Sequence, residues 1–338
     1  MIKKITLLLL LAVLLAGGGY LFVKKQTEEY ANQSIQITEA TIITIKSGSS
    51  FSSLLKQLEQ QSWIVANQYS SLLRRFQPEL THIKAGTFLI QPEMTLADML
   101  LFIAKGKEHQ FAITFVEGSR FTEWRESLKQ AEYLQQKIEQ LTEQEIAERL
   151  AIPQKKLEGL FLAETYHYTA GMSDLDILKR AHRDLKEVLA ASWDGRQEGL
   201  PLASEYEALI LASIIEKETA IESERATVSS VFINRLKRGM RLQTDPTVIY
   251  GMGDKYNGNI RKKDLQTRTA YNTYVINGLP PTPIAMVGKS SIEAALQPIS
   301  SNYLYFVASG LGGHVFSKNL KDHNRAVQQY LKQLRKKK

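Results

Sequence analysis

The chain has 338 residues, with 43 Lys and Arg against 35 Asp and Glu, a formal net charge of +8. That length allows two or three domains with a sizeable core, and the cationic surplus favours anionic partners such as lipid headgroups, acidic wall polymers or nucleic acid. There is no Cys, which excludes disulfides, thiolate metal sites and a Cys nucleophile. Much of the positive charge sits at the ends, in Lys3, Lys4, Lys24, Lys25 and Arg335 to Lys338. No basic run is interleaved with aromatic residues as RNA-binding sheets require, so no nucleic-acid partner is expected.

Ile5 to Val23 is a 19-residue stretch without a charge, flanked by lysine pairs. At 1.5 Å rise per residue it is long enough to cross a bilayer core. The A-x-A-like site of a cleaved signal peptide is missing, so the reading is an uncleaved single-pass anchor. A four-residue leading tail and more than 300 following residues suggest an inner tail and an exported body. Residues 26–40 are polar and read as a stalk. Ile42 to Ile45 is strand-like, the Gly48 turn follows, and Leu54, Leu55, Leu58 and Ile64 suggest a helix. Ile83 to Ile90 reads as a glycine-punctuated strand pair, and Leu96, Met99, Leu100 and Ile103 have helical spacing with Gly106 as the stop. The outcome is a small β-α-β-α module over 41–107. It is similar to a LysM-like glycan-binding module, with a spacer or contact domain as the alternative. Ser53-Leu54-Leu55-Lys56 fits an S-x-x-K pattern by chance, since the S-D-N and K-T-G partners are absent.

Phe111 to Val116 looks like a strand, and Phe121 to Leu150 largely helical. Leu157 to Tyr166 reads as an aromatic, partly acidic loop in which Phe161, Tyr166 and Tyr168 either line a sugar groove or fill the core. A helix is expected over Leu175 to Ala191. Ser204-Glu205-Tyr206-Glu207 then has the form of a capping box, and Ala208 to Ile215 is apolar except for Ser213. A helix apolar all round is buried, yet this one ends in Glu216-Lys217-Glu218-Thr219. Burial at such an edge raises a carboxyl pKa and suits a general acid; the bland alternative is a solvated helix end. Glu222 to Lys237 is a further helix stopped by Gly239. Met240 to Gly251 is polar and turn-rich, and Gly251-Met252-Gly253 lacks the third glycine of a dinucleotide fingerprint. Tyr271-Asn272-Thr273-Tyr274, beside the stiff Gly278 to Ile284 loop, suits recognition of hydroxyl and acetamido groups. Leu304 to Val307 is a strand and Gly313 to Phe316 its return. His314 and His323 lack metal-ligand spacing, so neither a metal nor a cofactor is expected.

Seven segments in order, LEGLFLAETY, IIEKETA, SVFINRL, MRLQTDPTVIYG, AYNTY, NGLPPTPI and YLYFVASGLGGHVFSKNLKDHN, resemble the YceG-like endolytic murein transglycosylase family. The likeness is densest from Leu209 to Asn324. One departure is Ala163-Glu164, where the family pattern carries Pro-Asp before the Thr-aromatic pair. The resemblance implies a membrane-bound lyase that cuts peptidoglycan glycan strands internally, breaking the MurNAc–GlcNAc β-1,4 bond and leaving 1,6-anhydro-MurNAc ends. A single Glu acting first as acid and then as base suffices, because the substrate's own C6 hydroxyl is the nucleophile. The synthases that polymerise glycan at the membrane are the protein partners it implies.

Glu216 and Glu218 are two apart, so on a helix they point about 200° away from each other. Only one can face a cleft. The family's catalytic position matches Glu218, leaving Glu216 structural or charge-pairing. Gln243, Asp245, Tyr271, Asn272 and Tyr274 are the candidates for sugar contact and for orienting Glu218, against a role in bracing loops. The expected fold is α+β: an anchor over 1–25, the stalk, the small module, and a mixed catalytic domain over 108–338 with its core at 200–330. Two other readings stand beside the lyase: a muramidase-type hydrolase on the same site, and a non-catalytic wall-binding scaffold.

Overall fold

The computed structural model describes residues 2–336 as two compact units, divided at Phe111 and Ala112. In the first, helix α1 (Ile2–Ala31) carries the apolar run with its leucines exposed, and is long and apolar enough to cross a membrane. The helix does not stop where the apolar run does. Its last turns continue into the segment expected as stalk, to Ala31, and bury Thr27, Tyr30 and Ala31. Strand β1 (Thr41–Ile45) follows, then α2 (Phe51–Gln60), the single turn α3 (Leu73–Phe76), β2 (Gly86–Ile90) and α4 (Leu96–Lys105).

The expected strand pair within Ile83–Ile90 is one strand. Its partner is the distant β1, antiparallel, with Ile43 opposite Phe88. Period-2 alternation cannot say where a strand's neighbour lies. Alternation along the pair buries Ile43, Ile45, Phe88 and Ile90, and α2 and α4 cover them with Leu54, Leu58, Met99 and Ile103. Thr95 and Asp98 form a reciprocal capping box at the start of α4, and Gly106 ends it at φ +71°, a conformation that suits glycine.

At the start of the second unit β3 (Phe111–Thr114), whose first residue is the last of the first unit, pairs with β4 (Thr165–Tyr168). Between them lie α5 (Phe121–Gln130) and α6 (Glu143–Arg149), two short helices where the sequence suggested a longer helical segment. Trp124 stacks on Phe115 and tilts against Phe161, and Phe121 stacks on Phe161. Phe161, Tyr166 and Tyr168 are therefore core residues, not groove lining, with both tyrosine hydroxyls donating to backbone carbonyls, Leu162 and Glu132.

Helix α7 (Asp174–Asp194) leads to α8 (Glu205–Glu218), which packs against α7, α9 (Glu222–Lys237), α10 (Asp245–Met252) and α12 (Lys289–Leu296). The short α11 (Lys262–Gln266) lies between the last two. Ser204 caps α8 by accepting from Glu207 N, but the Glu207 carboxylate reaches back to Ala203 N, so the box is one residue out of register. From Ala208 to Glu216 every residue of α8 is buried. The one hydroxyl in that buried run, Ser213, donates to Ile210 O and accepts from Ile284 N, tying the proline-rich loop to the helix. Strands β5 (Tyr305–Ala308) and β6 (His314–Ser317) form an antiparallel hairpin covered by α13 (Leu320–Lys336).

Candidate functional site

Three consecutive side chains at the end of α8 leave in three directions. Glu216 is buried and accepts from Arg225 Nη2 at 3.2 Å and from Gly288 N at 3.0 Å. Arg225 also pairs with Glu117 at 3.1 Å. Lys217 donates to Gly118 O at 2.9 Å. Glu218 faces the opposite side from Glu216, onto a polar pocket of about 350 Å³. Two residues apart on the helix, the two carboxylates meet different surroundings: an ion pair and a backbone amide at Glu216, the pocket and the Thr244 hydroxyl at Glu218.

Removing Glu216 leaves Arg225 buried with only a half-exposed carboxylate and strands Gly288 N. Glu216→Ala is expected to cost about 3 kcal/mol of stability. Thermal unfolding should show the loss, while turnover per folded molecule changes little. A thousandfold loss of turnover at unchanged stability would move the chemistry to Glu216.

Around Glu218 the structure assembles Gln243, Thr244, Asp245 and Tyr274, with Tyr305 and His323 also lining the pocket. Thr244 is the N-cap residue of α10, and its hydroxyl donates to Glu218 Oε1. Thr273 holds that cap, its hydroxyl accepting from Thr244 N at 3.1 Å, and Thr247 donates to Thr244 O at 2.8 Å. Gln243 sits at φ +50°, a conformation a non-glycine residue adopts only where its surroundings over-determine it. Gln243 N donates to Thr273 O, and the side-chain oxygen accepts from Arg235 at 3.3 Å. Tyr274 OH donates to Asp245 Oδ1 at 2.7 Å.

Burial pushes the Glu218 carboxyl up to about 7. The Thr244 hydrogen bond pulls the other way, Asp245 adds to the rise, and His314 opposes it. Burial, then the bond to Asp245, likewise pushes the Tyr274 phenol up, so it remains a donor at neutral pH. Near pH 7 Glu218 is thus poised between acid and base. Thr244→Val removes the bond that stabilises the carboxylate while keeping the shape of the side chain. The alkaline limb of the pH–rate profile should therefore move upward from about 7; a downward move would mean that the hydroxyl is not a net donor to Glu218.

The two remaining candidates lie elsewhere. Tyr271 packs against Tyr250 and its hydroxyl is bonded to Thr282 at 2.9 Å. Asn272 is buried, and its amide donates to the carbonyls of Asp264, Leu265 and Thr267. Its side-chain amide is thus engaged in pinning the C-terminal end of α11 and the residue after it.

Thr244 and Arg235 were not singled out from sequence. Thr244 was findable, since a Thr followed by Asp-Pro is an N-cap with proline in the first turn, where only a turn was read. Arg235, buried in α9, donates to the carbonyls of Leu304, Arg241 and Leu242 and lies over the Tyr305 ring; no local pattern foretells this. His314 bonds Glu224 Oε2 at 2.7 Å through Nδ1. Among the described residues no group of three or more His, Asp and Glu is arranged to hold a metal ion.

The architecture and the pocket define a mixed α+β protein with one poised carboxyl at the end of a buried helix. The chain belongs to the YceG-like family, whose sequence profile matches residues 43–329. It is 31% identical to the endolytic murein transglycosylase of Bacillus subtilis (strain 168) over 337 residues, 94% of this chain and 91% of that one. The endolytic murein transglycosylase of Streptococcus pneumoniae serotype 2 is 26% identical over 97% of this chain and 65% of its own length. A 2.6 Å crystal structure of a yceG-like protein from Listeria monocytogenes superposes with a TM-score of 0.52 at 29% identity, covering 85% of this chain and 98% of that one.

Proposed function

We propose that the protein is an endolytic lytic transglycosylase that cleaves the MurNAc–GlcNAc β-1,4 bond within nascent peptidoglycan strands and so ends their elongation. The observation that carries the reading is Glu218, a carboxyl raised to about 7 on the wall of a polar pocket, in a family whose relatives are named endolytic murein transglycosylases. The protonated Glu218 gives its proton to the bridging oxygen as the C1–O bond breaks. The resulting carboxylate takes the proton of the MurNAc C6 hydroxyl as that oxygen bonds to C1. No water is consumed, and the carboxyl is regenerated. Gln243, Asp245 and Tyr274 are positioned for sugar contact, and Tyr271 and Asn272 act by bracing the adjoining loops.

The apolar part of α1 serves as a single-pass anchor in the cytoplasmic membrane, with the body outside. The first unit serves as a LysM-like contact module or spacer. Anchoring would bring the site to new strands beside the peptidoglycan synthases, the partners this reading favours.

One observation favours a hydrolase instead. Asp245 shares the pocket, and a second carboxylate is what a muramidase needs to activate water or form a glycosyl intermediate. Mass spectrometry of products from uncrosslinked strands separates the two. Internal fragments with anhydro ends support the lyase; free reducing MurNAc ends establish the hydrolase. Binding without cleavage would leave a wall-binding scaffold.

A further inference from the structure

A second cavity, of about 340 Å³, adjoins the first through α10. Asp245 at the start of that helix lines the Glu218 pocket, while Val248, Gly251 and Met252 line the second. Asp245 lies three to seven residues before Val248, Gly251 and Met252, about 4.5–10 Å of helix at 1.5 Å rise per residue, within the reach of one disaccharide repeat. The segment 271–274 joins them on its own side: Tyr274 faces the first pocket, and Asn272 lies in the wall of the second. Gly251 lets the end of α10 approach that wall, since a Cβ there would meet Thr269 Oγ1 at 2.9 Å and Tyr271 Cβ at 3.1 Å.

The charge of the second cavity is one-sided. Lys255, Arg261 and Lys263 line it, and none of the three makes an ion pair among the described residues. Its one acid, Asp264, is engaged by its own helix start, accepting from Arg261 N at 2.8 Å. Three unpaired cations around a cavity favour an anionic occupant over neutral sugar. Asn272 fixes the position of that rim by bonding the three carbonyls that follow Lys263.

The geometry points to a subsite for a carboxylate of the peptide stem on a glycan strand. This rests on the reading of the Glu218 pocket as a glycan-cleaving site. In such a strand every MurNAc carries a peptide through its lactyl group, so peptide carboxylates recur with every disaccharide and fall within reach of the second cavity when the first holds sugar. A terminal pyrophosphate occurs once per strand, and an enzyme that cuts internally works away from it. The cationic cavity thereby sets a preference for strands whose peptides are still attached.

The test uses detergent-solubilised full-length Glu218→Gln protein, so that binding is read without turnover. Calorimetry compares short uncrosslinked glycan fragments bearing peptides with the same fragments after amidase treatment. Peptide-bearing fragments should bind about five- to tenfold tighter. Lys255→Ala/Arg261→Ala/Lys263→Ala should erase that ratio. Equal binding of the two ligands overturns the inference, as does a triple variant that weakens both alike. It is also overturned if fragments ending in pyrophosphate, with or without peptides, are the ones preferred. The glycan-cleaving reading fails separately, by wild-type protein releasing no fragments from any strand.

Discussion

Glu218→Gln should lower glycan cleavage by about 10²–10⁴-fold, because the amide keeps the shape and the bond from Thr244 but can neither give nor take the proton. Muropeptide mass spectrometry of matched digests reads the loss. Wild-type turnover should fall as pH rises through about 7, where the acid form of Glu218 is depleted. Burial also fixes the sign of the stability effect. Glu218 holds its proton more tightly folded than unfolded, so the native state is penalised as pH rises from about 4.5 to about 7 and stays penalised above. The Gln variant escapes that penalty. It should therefore unfold at a higher temperature than wild type at pH 8, with the gap closing toward pH 4. A Gln variant that is inactive and less stable at pH 8 would point to a lost structural contact, not a lost proton. Equal anhydro products from both proteins would remove Glu218 from the chemistry altogether.

What the sequence disclosed about this site follows from what is local. The α8 helix was legible because its cap, its apolar run and its charged end lie within fifteen successive residues, and 3.6-residue periodicity alone separates Glu216 from Glu218. The pair β5 and β6 was legible because a short glycine-rich turn joins its strands. The pairing of β2 with β1 was not, because 40 residues of chain intervene and alternation carries no partner information. Asn272 was undecided for a related reason: an amide between two tyrosines looks the same whether it meets a sugar or braces a loop through three carbonyls. Phe161 and Tyr166 stayed open between groove and core because an aromatic run is equally compatible with both until the packing partners Trp124 and Phe115 are known.

Arg235 is the strongest case of a residue whose work shows only in three dimensions, and its removal should have the largest effect outside the carboxyl itself. Its guanidinium donates to Leu304 O at 2.6 Å, Leu242 O at 2.9 Å and Arg241 O at 3.1 Å, joining β5 to the segment that enters α10. That segment carries Gln243 at positive φ and then Thr244, the partner of Glu218. A planar fork can serve several carbonyls at once; a lysine ammonium reaches fewer and methionine none. Arg235→Met therefore strands buried carbonyls at a cost of about 3 kcal/mol, which for a unit of this size lowers the unfolding temperature by about 6–12 °C. Gln243, freed from its tether, should relax toward ordinary backbone angles and draw Thr244 away from Glu218. A displacement of that kind, about 1 Å, is enough to cost about 100-fold in turnover. Arg235→Lys should fall between the two proteins in both measurements. The pH profile separates this account from simple instability. At a temperature where the Met variant is folded, its alkaline limb should shift upward from about 7, as for Thr244→Val, because Glu218 has lost the same bond. An unchanged limb and unchanged turnover per folded molecule would reduce Arg235 to a packing residue of the hairpin.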